Sequence, residues 1–429
     1  MEQYIYSTLT RVQLDKLCRR PAMDLESAFE IVKPIIEDVR IHGDDAVLNL
    51  TERFDKVRPA SLVHPVKPTS EIPIQVEIAE ALDTAYANIY RFHKAQLPKN
   101  IYVETMPGVV CSRVARPIER VGLYVPGGTA VLPSSLLMLG IPAKIAGCKE
   151  IVVTTPPRID GTVAPEIEYI ASLIGATCIV KAGGAQAVAA LAYGTGSIPK
   201  VDKILGPGNR FVTAAKMLLQ NSDAMVSIDM PAGPSEVLVI ADKQSNPAFV
   251  AADLLSQAEH GPDSQVVLVG IGDVDFEHIE QEIKRQNAKL QRAETSLKAL
   301  ENSFIMHTAN TGEALEFSNR YAPEHLIINC DNPEQLAEHV KNAGSVFIGP
   351  WSAESVGDYA SGTNHTLPTY GFARMYSGVS LDSYYKHITM QQLTEEGLKG
   401  IAPTVTAMAD IETLDAHKNA VNIRLNINP

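Results

Sequence analysis

The chain has 429 residues, 45% hydrophobic and 20% charged, an ordinary balance for a folded globular protein and enough length for about three domains. Asp and Glu number 50 against 37 Lys and Arg, a formal net charge of −13, which argues against a nucleic-acid backbone or an anionic membrane surface as a partner. The longest uncharged apolar stretch, 121–143, is broken by Pro126, Gly127, Gly128, Pro133 and Pro142, so no transmembrane helix is expected. Residues 1–20 mix acids and bases without an apolar core segment and do not read as a signal peptide. Five scattered cysteines (Cys18, Cys111, Cys148, Cys178, Cys330), never spaced as CxxC, fit free thiols in a reducing cytoplasm.

In chain order, the first hundred residues predict helices at 14–19, 25–42, 44–54 and 74–96. Short apolar, β-rich runs then alternate with helical stretches. Strands are expected at 120–125, 150–155, 177–181, 201–205 and 225–229, with helices at 134–146, 164–174, 185–193 and 209–219 between them. A second set follows, with strands at 236–241, 265–269, 304–307, 325–329 and 345–348 and helices at 247–259, 276–302, 312–320 and 333–341. Near-continuous apolar strands separated by helices predict parallel sheets covered on both faces, here two doubly wound α/β domains in succession. No residue-level repeat between the two sets is visible. Residues 357–378, rich in Gly, Ser, Thr and Tyr, read as a functional loop, and the last fifty residues as a polar, helix-prone tail.

Three expected strand ends carry glycines before a helix: Pro126-Gly127-Gly128, Gly183-Gly184 and Gly206-Pro207-Gly208-Asn209. Such turns are either ordinary βα connections or an anion-binding nucleotide crevice, since glycine admits a close ligand and a helix N-terminus offers free N–H groups. No GxGxxG follows a strand, so the standard dinucleotide fingerprint is missing. Gln257 and His260, three apart, share a helix face and are either metal donors or surface residues near a helix end. Glu324 and His325 stand immediately before an apolar strand, an adjacent acid and base suited to proton transfer or a plain exposed turn. In an extended segment they would point to opposite sides. Asp358 and His365 fall in the polar loop and His417 in the tail, where only a fold can unite them with Gln257 and His260. Cys111 and Cys148 lack a neighbouring base and read as structural thiols.

These segments together resemble the histidinol dehydrogenase family. The stretches that carry the match are Val201-Asp202-Lys203 through Gly206-Pro207-Gly208-Asn209, Ile228-Asp229-Met230 through Ser235-Glu236-Val237, and Leu254-Leu255-Ser256-Gln257-Ala258-Glu259-His260-Gly261-Pro262-Asp263. Ala322-Pro323-Glu324-His325-Leu326, Gly357-Asp358-Tyr359 through Asn364-His365-Thr366 and His417-Lys418-Asn419-Ala420-Val421 complete it. The match runs from about Tyr124 to the C-terminus.

The resemblance implies NAD-dependent oxidation of L-histidinol to L-histidine through the aldehyde, the last two steps of histidine biosynthesis, consuming two NAD+ and one water. It implies one zinc ion per subunit, held by Gln257, His260 and Asp358 with His417 of the partner subunit, in a homodimer with shared active sites. His325 matches a general base and Glu324 a residue that activates water. Ser235, His365 and Glu412, together with Gln257, His260, His325, Asp358 and His417, match substrate contacts. Tyr124, Gln186 and Asn209 match NAD contacts. The implied layout has two incomplete Rossmann-like domains, 23–123 with 236–379 carrying metal and catalytic residues and 124–235 binding NAD. A helical arm at 1–22 serves the dimer, and a tail at 380–429 reaches the partner's site. Two alternatives remain open at this stage: a related zinc- and NAD-dependent dehydrogenase of another polar alcohol, such as a sulfonated one, and a non-catalytic small-ligand binder.

Overall fold

A computed structural model describes residues 1–20, 25–127, 131–230 and 233–427. Gly128 of the first glycine turn, Pro231 and Ala232 of the second matching stretch, and the last two residues of the 1–22 arm lie outside the described residues.

The chain opens with β1 (Glu2–Ile5), α1 (Arg11–Leu17), α2 (Leu25–His42), α3 (Asp44–Asp55), β2 (Val63–Pro65) and α4 (Val76–Lys94). An antiparallel pair follows, β3 (Ile101–Met106) and β4 (Val109–Pro117). The first alternating set is β5 (Arg120–Tyr124), α5 (Pro133–Ala146), β6 (Glu150–Thr155), α6 (Pro165–Ile174), β7 (Cys178–Lys181), α7 (Gly184–Tyr193), β8 (Lys203–Leu205), α8 (Arg210–Gln220) and β9 (Ser227–Ile228). The second is β10 (Glu236–Ala241), α9 (Pro247–Ala258), β11 (Gln265–Ile271), α10 (Phe276–Asn287), α11 (Ala293–Glu301), β12 (Phe304–Thr308), α12 (Thr311–Tyr321), β13 (His325–Asn329), α13 (Pro333–Ala337) and β14 (Ser345–Ile348). The chain continues with α14 (Glu354–Tyr359), β15 (Tyr385–Leu393), α15 (Glu395–Ile411) and α16 (Asp415–Asn422).

Among the described residues the strands form two six-stranded sheets, β2-β7-β6-β5-β8-β9 and β1-β12-β11-β10-β13-β14, and a three-stranded sheet β15-β4-β3. Both large sheets are doubly wound, as the alternation predicted. Apart from the edge strands β2 and β1 they share one order, with the first strand of each set central and later strands added on either side. β10 and β13 are buried along their whole lengths, as the apolar runs 237–241 and 326–328 require in a sheet covered on both faces. Each sheet is sandwiched by two apolar clusters, for example Val152, Leu191 and Val212 on one face of the first sheet and Leu123, Leu139 and Ile170 on the other. No helix among the described residues is long and apolar enough to cross a membrane.

Four expectations change. Residues 25–94 pack mainly on the first sheet, with 120–228, although Asn88 of α4 also donates to the Ala360 carbonyl at 3.0 Å. The buried stripe Val32, Ile36 and Val39 of α2 joins the cluster of α7 and α8, α4 packs on α5, and β2 pairs with β7. The 1–22 arm begins as a strand, since β1 lies parallel to β12 with Tyr4 opposite Met306. The tail is not all helix: β15 pairs with β4 from Tyr385–Pro117 to Leu393–Val109 before α15 begins. The helix expected at 276–302 is two helices, α10 and α11.

Candidate active site

In the first sheet β5 lies between β6 and β8, so connections leave it in opposite directions and a crevice opens at the carboxyl ends of β5 and β8. The turn after β8 begins at Gly206, whose φ of 126° is a conformation open to glycine, and a Cβ there would fall on the Tyr124 carbonyl. Its N–H donates to Asp229 Oδ2 at 2.7 Å and its carbonyl accepts from Lys216 Nζ at 2.9 Å. Lys216 and Asp229 also form a buried ion pair, which fixes the turn from beneath. Asn209 then caps α8, its Oδ1 accepting from the N–H groups of Phe211 and Val212 at 3.0 and 3.1 Å.

A cavity of about 360 Å3 joins this turn to the second sheet. Gly206–Asn209 line part of it, and Ser235, Gln257, His260, Glu324, His325, Asp358 and His365 are among the other lining residues. The second sheet presents its amino edge here. His325 is the first residue of β13, Glu236 the first of β10, and Gln257 the penultimate residue of the crossover helix α9.

Glu324 and His325 do not point apart. The strand ladder starts at His325, and Glu324 belongs to the turn set by Ala322, which has a left-handed φ of 53°. Glu324 Oε2 accepts from the Glu236 N–H at 2.9 Å and from Gln257 Nε2 at 3.4 Å. His325 Nδ1 lies 3.3 Å from the Glu236 carbonyl, 3.2 Å from Gln257 Nε2, 3.6 Å from Glu324 Oε2 and 3.9 Å from Glu354 Oε1. Its Nε2 faces Asp358 Oδ1 at 3.3 Å as an ion-pair contact. Burial opposes charge on this imidazole, but the Glu324 and Glu354 carboxylates outweigh it and hold its pKa well above the ordinary value. Burial likewise opposes ionisation of Asp358, and the adjacent His325 outweighs it and lowers the carboxyl pKa. Burial pushes Glu354 up to about 8, although Ser256 Oγ donates to its Oε2 at 2.9 Å. His365, its pKa lowered by burial, has Nδ1 2.8 Å from the Asp358 carbonyl and Nε2 3.4 Å from Ser135 Oγ. Cys148 does not line the cavity, and burial raises its thiol to about 12.

Gln257 Oε1 and Glu354 Oε1 are buried without a hydrogen bond, and Asp358 Oδ1 and His325 Nε2 have only their contact with each other. Unpaired, such atoms cost about 1–3 kcal/mol each. Ligand atoms of His260, Glu354 and Asp358 lie within 4.8 Å of one another. Imidazole nitrogen and carboxylate oxygens at this spacing are a donor set that a divalent cation could satisfy, and one that suits zinc or manganese.

Glu354 escaped sequence reasoning, although it precedes Asp358 by four and shares its face on α14. Asp358 itself lies on that short helix, not in a loop. His260 falls beyond α9, which ends at Ala258 with Glu259 as its C-cap, so the shared-face argument holds only approximately. Tyr124, the last residue of β5, and Gln186, in the first turn of α7, lie outside the cavity lining. The Tyr124 hydroxyl accepts from the Gly184 N–H at 3.0 Å, and Gln186 is buried with Oε1 unpartnered. Glu412, the C-cap of α15, and His417, on α16, are exposed and do not line the cavity of their own chain.

The family model for histidinol dehydrogenase matches residues 18–425. A histidinol dehydrogenase of Arabidopsis thaliana, named as chloroplastic, is 60% identical over 99% of this chain and 91% of its own length. One from Vibrio parahaemolyticus is 51% identical over 99% and 98%. The histidine biosynthesis trifunctional protein of Neurospora crassa is 56% identical over 99% of this chain and 50% of its own. The crystal structure of histidinol dehydrogenase from Elizabethkingia anophelis superposes with a TM-score of 0.94 at 47% identity, covering 99% of this chain and 98% of that one. The chain belongs to the histidinol dehydrogenase family, oxidoreductases of histidine biosynthesis.

Proposed function

We propose that the chain oxidises L-histidinol to L-histidine by way of L-histidinaldehyde, with two NAD+ reduced and one water consumed. The observation that carries this reading is the meeting of an acid–base pair, a cation-ready donor set and a glycine turn at a strand switch point in one cavity. Gln257, His260 and Asp358 would hold zinc with His417 of the partner subunit. When bound, the metal would fix the substrate's imidazole and amine nitrogens and so orient its hydroxymethyl group.

In the first half-reaction His325 takes the alcohol proton as hydride leaves the carbon for NAD+, giving the aldehyde. In the second, Glu324 takes a proton from water, whose oxygen adds to the aldehyde carbon, and the carbonyl oxygen takes the proton held on His325, giving the diol and a free imidazole. His325 then removes a diol proton as hydride leaves for the second NAD+, giving the acid. Because Glu324 and His325 are adjacent with their side chains 3.6 Å apart, one can serve the water and the other the substrate oxygen without a change of scaffold. Ser235, His365 and Glu412 would contact substrate, and Tyr124, Gln186 and Asn209 the dinucleotide. Tyr124 ends β5, Gln186 lies in the first turn of α7 after β7, and Asn209 caps α8 after β8.

A homodimer is part of the reading. Its support is the exposure of Glu412 and His417, together with the exposed apolar residues Ile101, Tyr102, Val103, Ile388 and Met390 of the three-stranded sheet. The five free cysteines suit a reducing compartment, the cytoplasm. Turnover of histidinol and of a sulfonated alcohol, assayed side by side with NAD+, tests substrate class: NADH from histidinol alone is expected, and NADH from the sulfonated alcohol alone would favour the related dehydrogenase.

A further inference from the structure

Arg20 stands at the end of the N-terminal arm, is 9% exposed and does not line the cavity. Its guanidinium uses all five of its N–H donors. Nε donates to Glu236 Oε2 at 2.6 Å, and Nη2 to Glu236 Oε1 at 2.9 Å and the Ala322 carbonyl at 3.3 Å. Nη1 donates to the Cys18 and Tyr321 carbonyls at 2.8 and 2.7 Å. The group also lies 3.6 Å over the Tyr321 ring, whose hydroxyl donates to Gln265 Oε1 at 2.7 Å. One side chain thus clamps the first residue of β10 and the left-handed turn that delivers Glu324.

Glu236 links this clamp to the chemistry. While Arg20 holds its side chain, its main-chain N–H orients Glu324 Oε2, and its carbonyl accepts from Gln257 Nε2 at 3.2 Å and faces His325 Nδ1 at 3.3 Å. We propose that Arg20 and Glu236 are positioning residues for Glu324 and His325, so that the N-terminal arm sets the geometry of the acid–base pair through one buried guanidinium. This rests on the dehydrogenase reading above. A buried ion pair is often no more stabilising than apolar residues of similar size, so stability alone does not account for it. A fork that fixes two segments in register does. Lysine, with three donors on a flexible stem, cannot hold both.

The test compares full-length wild type, Arg20→Lys, and the double variant Arg20→Met with Glu236→Met, which removes both buried charges together. NADH formation from histidinol is measured alongside thermal unfolding and bound zinc. Both variants are expected to stay folded with wild-type zinc content and to lose about tenfold to a hundredfold in kcat, the scale of a small misplacement, with KM values within about threefold of wild type. A merely structural role would leave kcat per folded, zinc-loaded site unchanged in the double variant, and that result overturns the proposal. So does an Arg20→Lys variant with wild-type kcat. If wild type itself makes no NADH from histidinol, the dehydrogenase reading fails instead, which the parallel assay distinguishes.

Discussion

Glu324 and His325 occupy neighbouring positions but belong to different local structures, a left-handed turn and the first rung of a strand. That junction brings both side chains to the same Glu236 main chain and the same Gln257 amide. In the proposed reaction it would also let each carry a separate proton transfer. Glu324→Gln should therefore leave histidinol oxidation to the aldehyde within a few fold of wild type while slowing the aldehyde step by about a hundredfold or more, as loss of a general base does. Single-turnover NADH bursts started from histidinol and from histidinaldehyde separate the two, and equal loss in both would refute the division of labour. Sequence alone exposed this pair because an acid and a base abut an apolar strand. It misjudged their directions because an alternation rule applies only inside the ladder, and Glu324 is outside it. Glu354 was legible in principle from its i,i+4 spacing to Asp358, but α14, only six residues long, gave no helical pattern, and Asp358 was read as part of a polar loop starting at residue 357.

At the scale of elements, the first sheet holds its switch-point turn by one glycine and a buried clasp of Asp229 and Lys216. Gly206→Ala would set a Cβ against the Tyr124 carbonyl in a φ region that disfavours L side chains. A cost of about 1–3 kcal/mol is expected. The expected outcome is a lowered melting temperature and at least tenfold weaker NAD binding, read by thermal unfolding and titration calorimetry. An unchanged NAD affinity would remove the turn from the dinucleotide site. The strands of both sets were legible because each is a compact apolar run ended by turn residues. β1 and β15 were not, because each is a strand only by virtue of a distant partner, β12 and β4. The placement of α2 to α4 was misassigned for the same reason: an amphipathic stripe says that a helix has a buried face, not which sheet it covers.

For the molecule as a whole, two sheets of the same strand order meet edge to edge in function, one offering carboxyl ends and the other its amino edge. The acid excess is spread over the chain, and the cavity uses only a few carboxylates, chiefly Glu324 and Asp358. Glu412 and His417 lie exposed and outside the cavity of their own chain, as a shared site demands. If His417 acts across a dimer, an inactive His417→Ala chain mixed with an inactive His260→Ala chain forms hybrids with one doubly damaged and one intact site. Up to about half of one wild-type dimer's activity per hybrid is then expected to return. No recovery after verified subunit exchange would contradict the shared site.

The central claim is a four-electron oxidation that depends on a metal held by Gln257, His260 and Asp358. The most direct measurement is the anaerobic yield of NADH per molecule of L-histidinol, with and without a zinc chelator. The account predicts two NADH per histidinol, with histidine as the product and the yield lost on chelation and restored by zinc. One NADH with accumulated aldehyde, or two that survive complete removal of the metal, would contradict it.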